Sequence, residues 1–285
     1  MIGYDVSDYT RPEMLATAEW LAANLGRPGF GVLDCRWRPD GSGRRLYAAG
    51  HIPGAMHIDW RTDLVEQEDD SDVLLLAGPA HIAETLARAG IGNGMVAVVY
   101  DDTTGAYAAR AWWTMRVYGF DSARILVGGL DAWRALAMPI STAAELRPPT
   151  TFTPHLAMRA RLTASDVRQA LGSPQTQILD ARAPSEYAGH AGSTRRLGHI
   201  PGALNLPASS TTEPRSGRFR SADDLRSRLR RAGVNPRRHL VCYDSAGIGA
   251  SKLAFALMLV GCDDVAVYEG GWAEWGDRLD LPVER

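Results

Sequence analysis

Gly50-His51-Ile52-Pro53-Gly54-Ala55 returns as Gly198-His199-Ile200-Pro201-Gly202-Ala203, an offset of 148 residues from His51 to His199. The recurrence extends on both sides of this hexapeptide. Upstream, Leu33-Asp34-Cys35-Arg36 is answered by Leu179-Asp180-Ala181-Arg182. Downstream, Arg88-Ala89-Gly90-Ile91 is answered by Arg231-Ala232-Gly233-Val234, and Tyr100-Asp101 by Tyr243-Asp244. Gly128-Gly129 with Trp133 is answered by Gly270-Gly271 with Trp275, where the offset has become 142. Ordered matches at a nearly constant spacing mean that the chain is one domain written twice.

Each copy reads as strands alternating with helices. The runs 31–35, 95–100, 177–180 and 239–243 are short and apolar, as buried parallel strands are. Each of the 95–100 and 239–243 runs leads through small residues into an apolar helix, expected over 107–118 and 250–260. A strand follows in each copy (124–127 and 265–268), then Gly-Gly and a short helix containing tryptophan. Strands separated by helices predict an α/β fold of two tandem domains, each a mostly parallel sheet with helices on both faces. The stretch 141–154 holds Pro148, Pro149 and Pro154 with little periodicity. The expected division is therefore 1–145, a linker over 146–158, and 159–285.

Composition narrows the function classes. At 285 residues each copy is long enough to bury a core, and 45% hydrophobic with 22% charged residues is ordinary for a globular protein. A net charge of -2 gives no basic face for nucleic acid, and no apolar run approaches a membrane span. The opening Met1-Ile2-Gly3-Tyr4-Asp5 lacks the basic and apolar regions of a signal peptide. Cys35, Cys242 and Cys262 are scattered, with neither disulfide-framework nor metal-ligand spacing. No metal or cofactor is expected, the expected location is cytoplasmic, and two covalently joined copies make a monomer sufficient.

Ligands of open α/β sheets bind beyond the carboxyl ends of the strands. Asp244-Ser245-Ala246-Gly247-Ile248-Gly249-Ala250 occupies that place. Its small residues let successive backbone N–H groups curl into an anion-binding nest, and the helix that follows adds the positive end of its dipole. A tight turn without a ligand is the plainer interpretation of such a loop.

Taken together, Asp-x-Arg at a strand end, Gly-His-Ile-Pro-Gly-Ala, strand-loop-helix and Gly-Gly-Trp-x-x-Trp resemble the rhodanese family. The best match is to its two-domain thiosulfate and 3-mercaptopyruvate sulfurtransferases, over residues 17–282. In that family the first copy is silent, and the second opens its loop with a cysteine that carries sulfur as a persulfide. The resemblance puts Asp101 in the silent copy and Asp244 at the cysteine's place. Cys242 lies two residues earlier, about 6–7 Å back along the strand, and reads as a small buried hydrophobe. The loop also lacks the Arg or Lys that such enzymes place there, Lys252 being the first cation after Asp244.

A carboxylate cannot carry sulfane sulfur, so persulfide transfer is expected to be lost. Three readings remain. Asp244 is the acid/base or nucleophile of a repurposed enzyme acting on a small anion; its pKa is then expected to be lowered by the N–H donors around it. Glu186 would sit at the pocket mouth, Arg182 would hold an anionic substrate, and Trp37 and Tyr107 would wall the interdomain cleft. Each has a plainer role: Arg182 as a brace, Glu186 as a solvated group, the aromatics as interface packing. Alternatively the protein is a non-catalytic pseudo-enzyme in which Asp244 fills the nest as Asp101 does. Last, a residual sulfurtransferase would work through Cys242. His51 and His199 are expected to order their loops, His190 to be solvated, and Asp34 and Asp180 to be structural.

Overall fold

The computed structural model describes residues 5–66 and 73–285, so most of the opening pentapeptide lies outside the described residues. Among the described residues ten strands form two sheets: β1 (Leu15–Ala16), β2 (Phe30–Asp34), β3 (Ala55–His57), β4 (Val96–Tyr100), β5 (Ala123–Leu126), then β6 (Arg161–Leu162), β7 (Thr176–Asp180), β8 (Leu204–Asn205), β9 (His239–Tyr243) and β10 (Val265–Tyr268). Each sheet has five strands, ordered β1-β5-β4-β2-β3 and β6-β10-β9-β7-β8, and all ladders are parallel. The strands expected from periodicity are the central ones. The short edge strands β1, β3, β6 and β8 were not anticipated, because two or three residues carry no readable alternation.

Side-chain alternation assigns the two faces of each sheet. In β4, Val98 and Tyr100 face an outer layer with Leu21, Leu130 and Trp133, while Ala97 and Val99 face inward. In β9, Val241 and Tyr243 face the equivalent outer layer with Trp272 and Trp275, and Leu240 and Cys242 face inward. The inward faces share one core. Between them lie the helices Ala106–Val117 and Ile248–Leu259, nearly every residue of which is buried. Trp112 meets Phe255 edge-on across this layer, ring centroids 4.9 Å apart. Backbone and side-chain bonds pin the copies together: Trp113 Nε1 donates to Ala160 O at 3.0 Å, and Leu76 N donates to Glu269 Oε2 at 2.9 Å.

Two basic residues lie within this apolar layer, Arg110 and Lys252, both buried. Burial pushes the Lys252 ammonium down to about 8, against a favourable pull from Asp101. Below that value the folded state carries the full cost of the buried charge. As pH rises from about 8 into the ordinary lysine range, the folded protein sheds its proton while the unfolded chain keeps it, and the cost fades. Lys252→Met should therefore stabilise the protein at pH 7 by about 1–2 kcal/mol, because an apolar group replaces a buried charge. Part of the gain is offset where the Thr212 hydroxyl loses its 2.9 Å bond from Lys252 Nζ. Denaturant midpoints at pH 7 and pH 10 check this; a gap that widens at pH 10 would contradict it.

Candidate functional site

Both repeats build the same strand-end girder. Asp34 accepts Arg36 and the Tyr100 hydroxyl (2.6 Å), and Asp180 accepts Arg182 and the Tyr243 hydroxyl (2.6 Å). The Nη2 of each arginine, which donates to the aspartate, also reaches the Gly50 or Gly198 carbonyl at 2.8 Å. This explains why Asp-x-Arg and Gly-His-Ile-Pro-Gly occur together: the arginine ties one motif to the other. His51 and His199 stack on Tyr47 and Tyr187 (4.0 and 3.8 Å), each with Nδ1 on that tyrosine's own carbonyl. Both histidines thus order their loops.

Beyond the girders the two loops diverge. Asp101 is buried, and its oxygens accept four backbone N–H groups, from Thr103 (2.9 Å), Gly105 (3.0 Å), Tyr107 (3.0 Å) and Ala108 (3.1 Å). The Thr103 hydroxyl adds a fifth bond. Asp244 is half-buried and accepts two, from Gly247 (2.5 Å) and Gly249 (2.8 Å). One residue fewer separates Asp244 from its left-handed glycine, Gly247 (φ 80°), than separates Asp101 from Gly105 (φ 76°). The shorter loop wraps its carboxylate less completely. Among the described residues, the N–H groups of Ser245, Ala246 and Ile248 meet no protein acceptor. They open onto the N-terminus of the Ile248–Leu259 helix, and Ala250 follows, buried.

Asp244 corrects one expectation. Burial pushes its carboxyl above the ordinary range, outweighing the donors from Gly249 and Gly247 and the nearby charge of Arg110. Two N–H donors do not replace the water that is lost, so desolvation decides the direction.

The missing cation is also found, and it comes from the other copy. Arg110 of the Ala106–Val117 helix crosses the interface, where its Nη1 donates to Gly247 O at 3.4 Å and its Nη2 to Leu74 O at 3.2 Å. Its guanidinium lies 4.8 Å over the Trp113 ring. Burial pushes it down to about 10, against the pull of Glu269 and Asp244, so it stays charged at neutral pH. Glu269 is itself buried and pairs with Arg161. None of these three was singled out from sequence. The readable signals were an arginine inside an apolar helix and Glu269 standing where the first copy has Val127.

Other expected site residues are placed elsewhere. Arg182 is spent on Asp180 and Gly198 and lies 4.4 Å over Trp272, so the structure gives it the bracing role rather than a hold on an anion. Glu186 accepts from Ala183 N at 3.1 Å and caps its own short helix. Trp37, Trp60 and Tyr107 form an aromatic cluster with the Trp37–Tyr107 centroids 5.5 Å apart, beside the Asp101 loop. Tyr107 is one helical turn ahead of Arg110. His190 is exposed. Cys242 is fully buried, and burial pushes its thiol far above the ordinary range, which removes the thiolate needed for sulfur attack. Among the described residues no group of three His, Cys, Asp or Glu side chains is placed to hold a metal, and no helix is long and apolar enough to cross a membrane.

The twofold architecture matches a known family. The family model for the rhodanese-like domain fits the chain twice, over residues 17–136 and 163–278. This chain belongs to the rhodanese family. Among curated rhodanese relatives, the thiosulfate sulfurtransferase of Corynebacterium glutamicum is 34% identical over 290 residues, covering 97% of this chain and 92% of that protein. The 3-mercaptopyruvate sulfurtransferase of Escherichia coli K12 is 31% identical, covering 94% and 96%. The crystal structure of SseA from Escherichia coli superposes with a TM-score of 0.81 at 28% identity, covering 91% of this chain and 98% of that one. The family match thus spans the central strands of both sheets and the helices between them.

Proposed function

We propose that this protein is a rhodanese-fold enzyme that binds a small anion at the Asp244 loop, uses Asp244 to move a proton, and has no persulfide step. The observation that carries this reading is the contrast between the two loops. Asp101 closes its nest with four backbone donors, whereas Asp244, in a loop one residue shorter, takes two, with a further favourable backbone contribution from Ala250. The cavity beside Asp101 holds only about 10 Å³. Asp244 with a raised pKa is suited to general acid chemistry, since it holds a proton where an ordinary carboxyl would not. Asp244 also stands where the resemblance puts the persulfide cysteine, and Cys242 is sealed beneath it.

Anion and carboxylate share one nest, so an incoming anion favours the protonated acid. Binding is expected to tighten as pH falls through the Asp244 titration. Asp244→Asn should make it independent of pH over the same range, removing a like-charge repulsion of on the order of 1 kcal/mol or more. Thiosulfate serves as the probe, followed by tryptophan fluorescence from pH 4 upward. The same thiosulfate with cyanide should yield no thiocyanate. Binding that ignores both pH and Asp244→Asn would point instead to the pseudo-enzyme, in which Asp244 only fills the nest as Asp101 does.

A further inference from the structure

Arg110 and Lys252 are the same position of the repeat, the fifth residue of the helices Ala106–Val117 and Ile248–Leu259. Each is buried, but only Arg110 crosses to contact the other copy's loop. Arg110 lies against the Asp244 loop, and Lys252 is drawn by the charge of Asp101. Each also donates to a segment of its own copy, Arg110 to Leu74 O (3.2 Å) and Lys252 to Thr212 Oγ1 (2.9 Å). The copies thus exchange cations across a pseudo-twofold axis.

The exchange is unequal. Only Arg110 reaches a loop backbone, at the Gly247 carbonyl, and a Cβ on Gly247 would overlap its Nη1, whereas a Cβ on Gly105 would meet nothing. Arg110 Nε is buried with no hydrogen-bond partner. Four charged groups converge here: Asp244 at the loop start, Arg110 from the first copy, Glu269 after β10, and Arg161 from β6, with Cys242 beneath on β9. Glu269, the larger favourable charge on Arg110, is also bonded by Arg161 and by Leu76 N, while Arg110 itself donates to the loop at the Gly247 carbonyl.

We infer that Arg110 is the positioning residue of the Asp244 site: it holds the loop through Gly247 and supplies, from the first copy, the positive charge against which Asp244 and a bound anion are balanced. The silent copy is then a working half of the site. This rests on the Asp244 loop being an anion site, and the experiment separates the two claims. The full-length chain is labelled for ¹³C NMR, and the titration midpoint of the Asp244 carboxyl is followed without ligand; sulfate affinity is measured in parallel.

Arg110→Met, which keeps bulk and removes charge, should raise the Asp244 midpoint by about one pH unit and weaken sulfate binding about tenfold. Arg110→Lys should bring the midpoint back toward wild type. Lys252→Met, an equally buried change in the same layer, should leave it in place; a merely structural role for Arg110 would treat the two alike. Arg110→Gln keeps a donor for Gly247 and gives the same readout if the Met variant does not fold. An unmoved Asp244 midpoint in a folded uncharged variant overturns the inference. A shifted midpoint in a protein that binds no sulfate supports the electrostatic role of Arg110 and removes the anion-site reading.

Discussion

Asp244→Cys is expected to convert a protein that yields no thiocyanate from thiosulfate and cyanide into one that turns over repeatedly. The thiol would stand at a helix N-terminus, under the Gly247 and Gly249 N–H groups and beside Arg110, groups that stabilise a thiolate against the burial that raises Asp244. Thiolate attack on the outer sulfur of thiosulfate forms an S–S bond and releases sulfite. Cyanide then takes that sulfur as thiocyanate and regenerates the thiolate, so sulfur and electrons balance without another reductant. Both steps use only the nest and a nucleophile. Activity in the wild type that disappears in Cys242→Ala would return the residual sulfurtransferase reading to first place. A folded but inert Asp244→Cys protein would mean that more than the nucleophile distinguishes this loop from those of sulfurtransferases.

Gly271→Ala should be among the most damaging single substitutions, with a loss of about 3 kcal/mol or more, since it adds steric overlap to a left-handed backbone. Gly271 has φ 57°, and a Cβ there would overlap the Asp244 carbonyl and crowd Ser245 O. That carbonyl accepts Trp272 N at 2.7 Å, so the Gly-Gly turn is what pins the start of the loop. Gly129 makes the same approach to Asp101 O, with Leu130 N as donor at 3.0 Å. Gly172→Ala is the control: φ is 73° but nothing lies near the added Cβ, so it should cost only about 1 kcal/mol, the backbone part alone. Equal costs for the two glycines in urea unfolding would show that the turn yields, and that the loop is not fixed from below.

The two substitutions bear on the same few atoms from opposite sides. Asp244 fills the loop that the proposed anion would enter, and Gly271 decides where that loop begins. A mild Gly271→Ala effect would also weaken the case for a preorganised anion site, because the N–H groups of Ser245 and Ala246 depend on the anchored Asp244 backbone.

Local order made much of this legible in the sequence. Short apolar runs located β2, β4, β7 and β9, and the recurrence of Asp-x-Arg and Gly-His-Ile-Pro-Gly fixed the register of one copy on the other. That register alone puts Asp244 opposite Asp101. The tertiary structure decided what the register could not. Arg182 reads as a free cation in sequence, but the fold commits it to Asp180 two residues away and to Gly198. Arg110 reads as an oddity in an apolar helix, yet it meets Gly247, 137 residues distant, because the two helices pack between the sheets. The direction of the Asp244 shift likewise depends on how much water the two copies exclude. Sequence patterns record contacts repeated every two or four residues; charge balance at an interface depends on groups that only packing brings together.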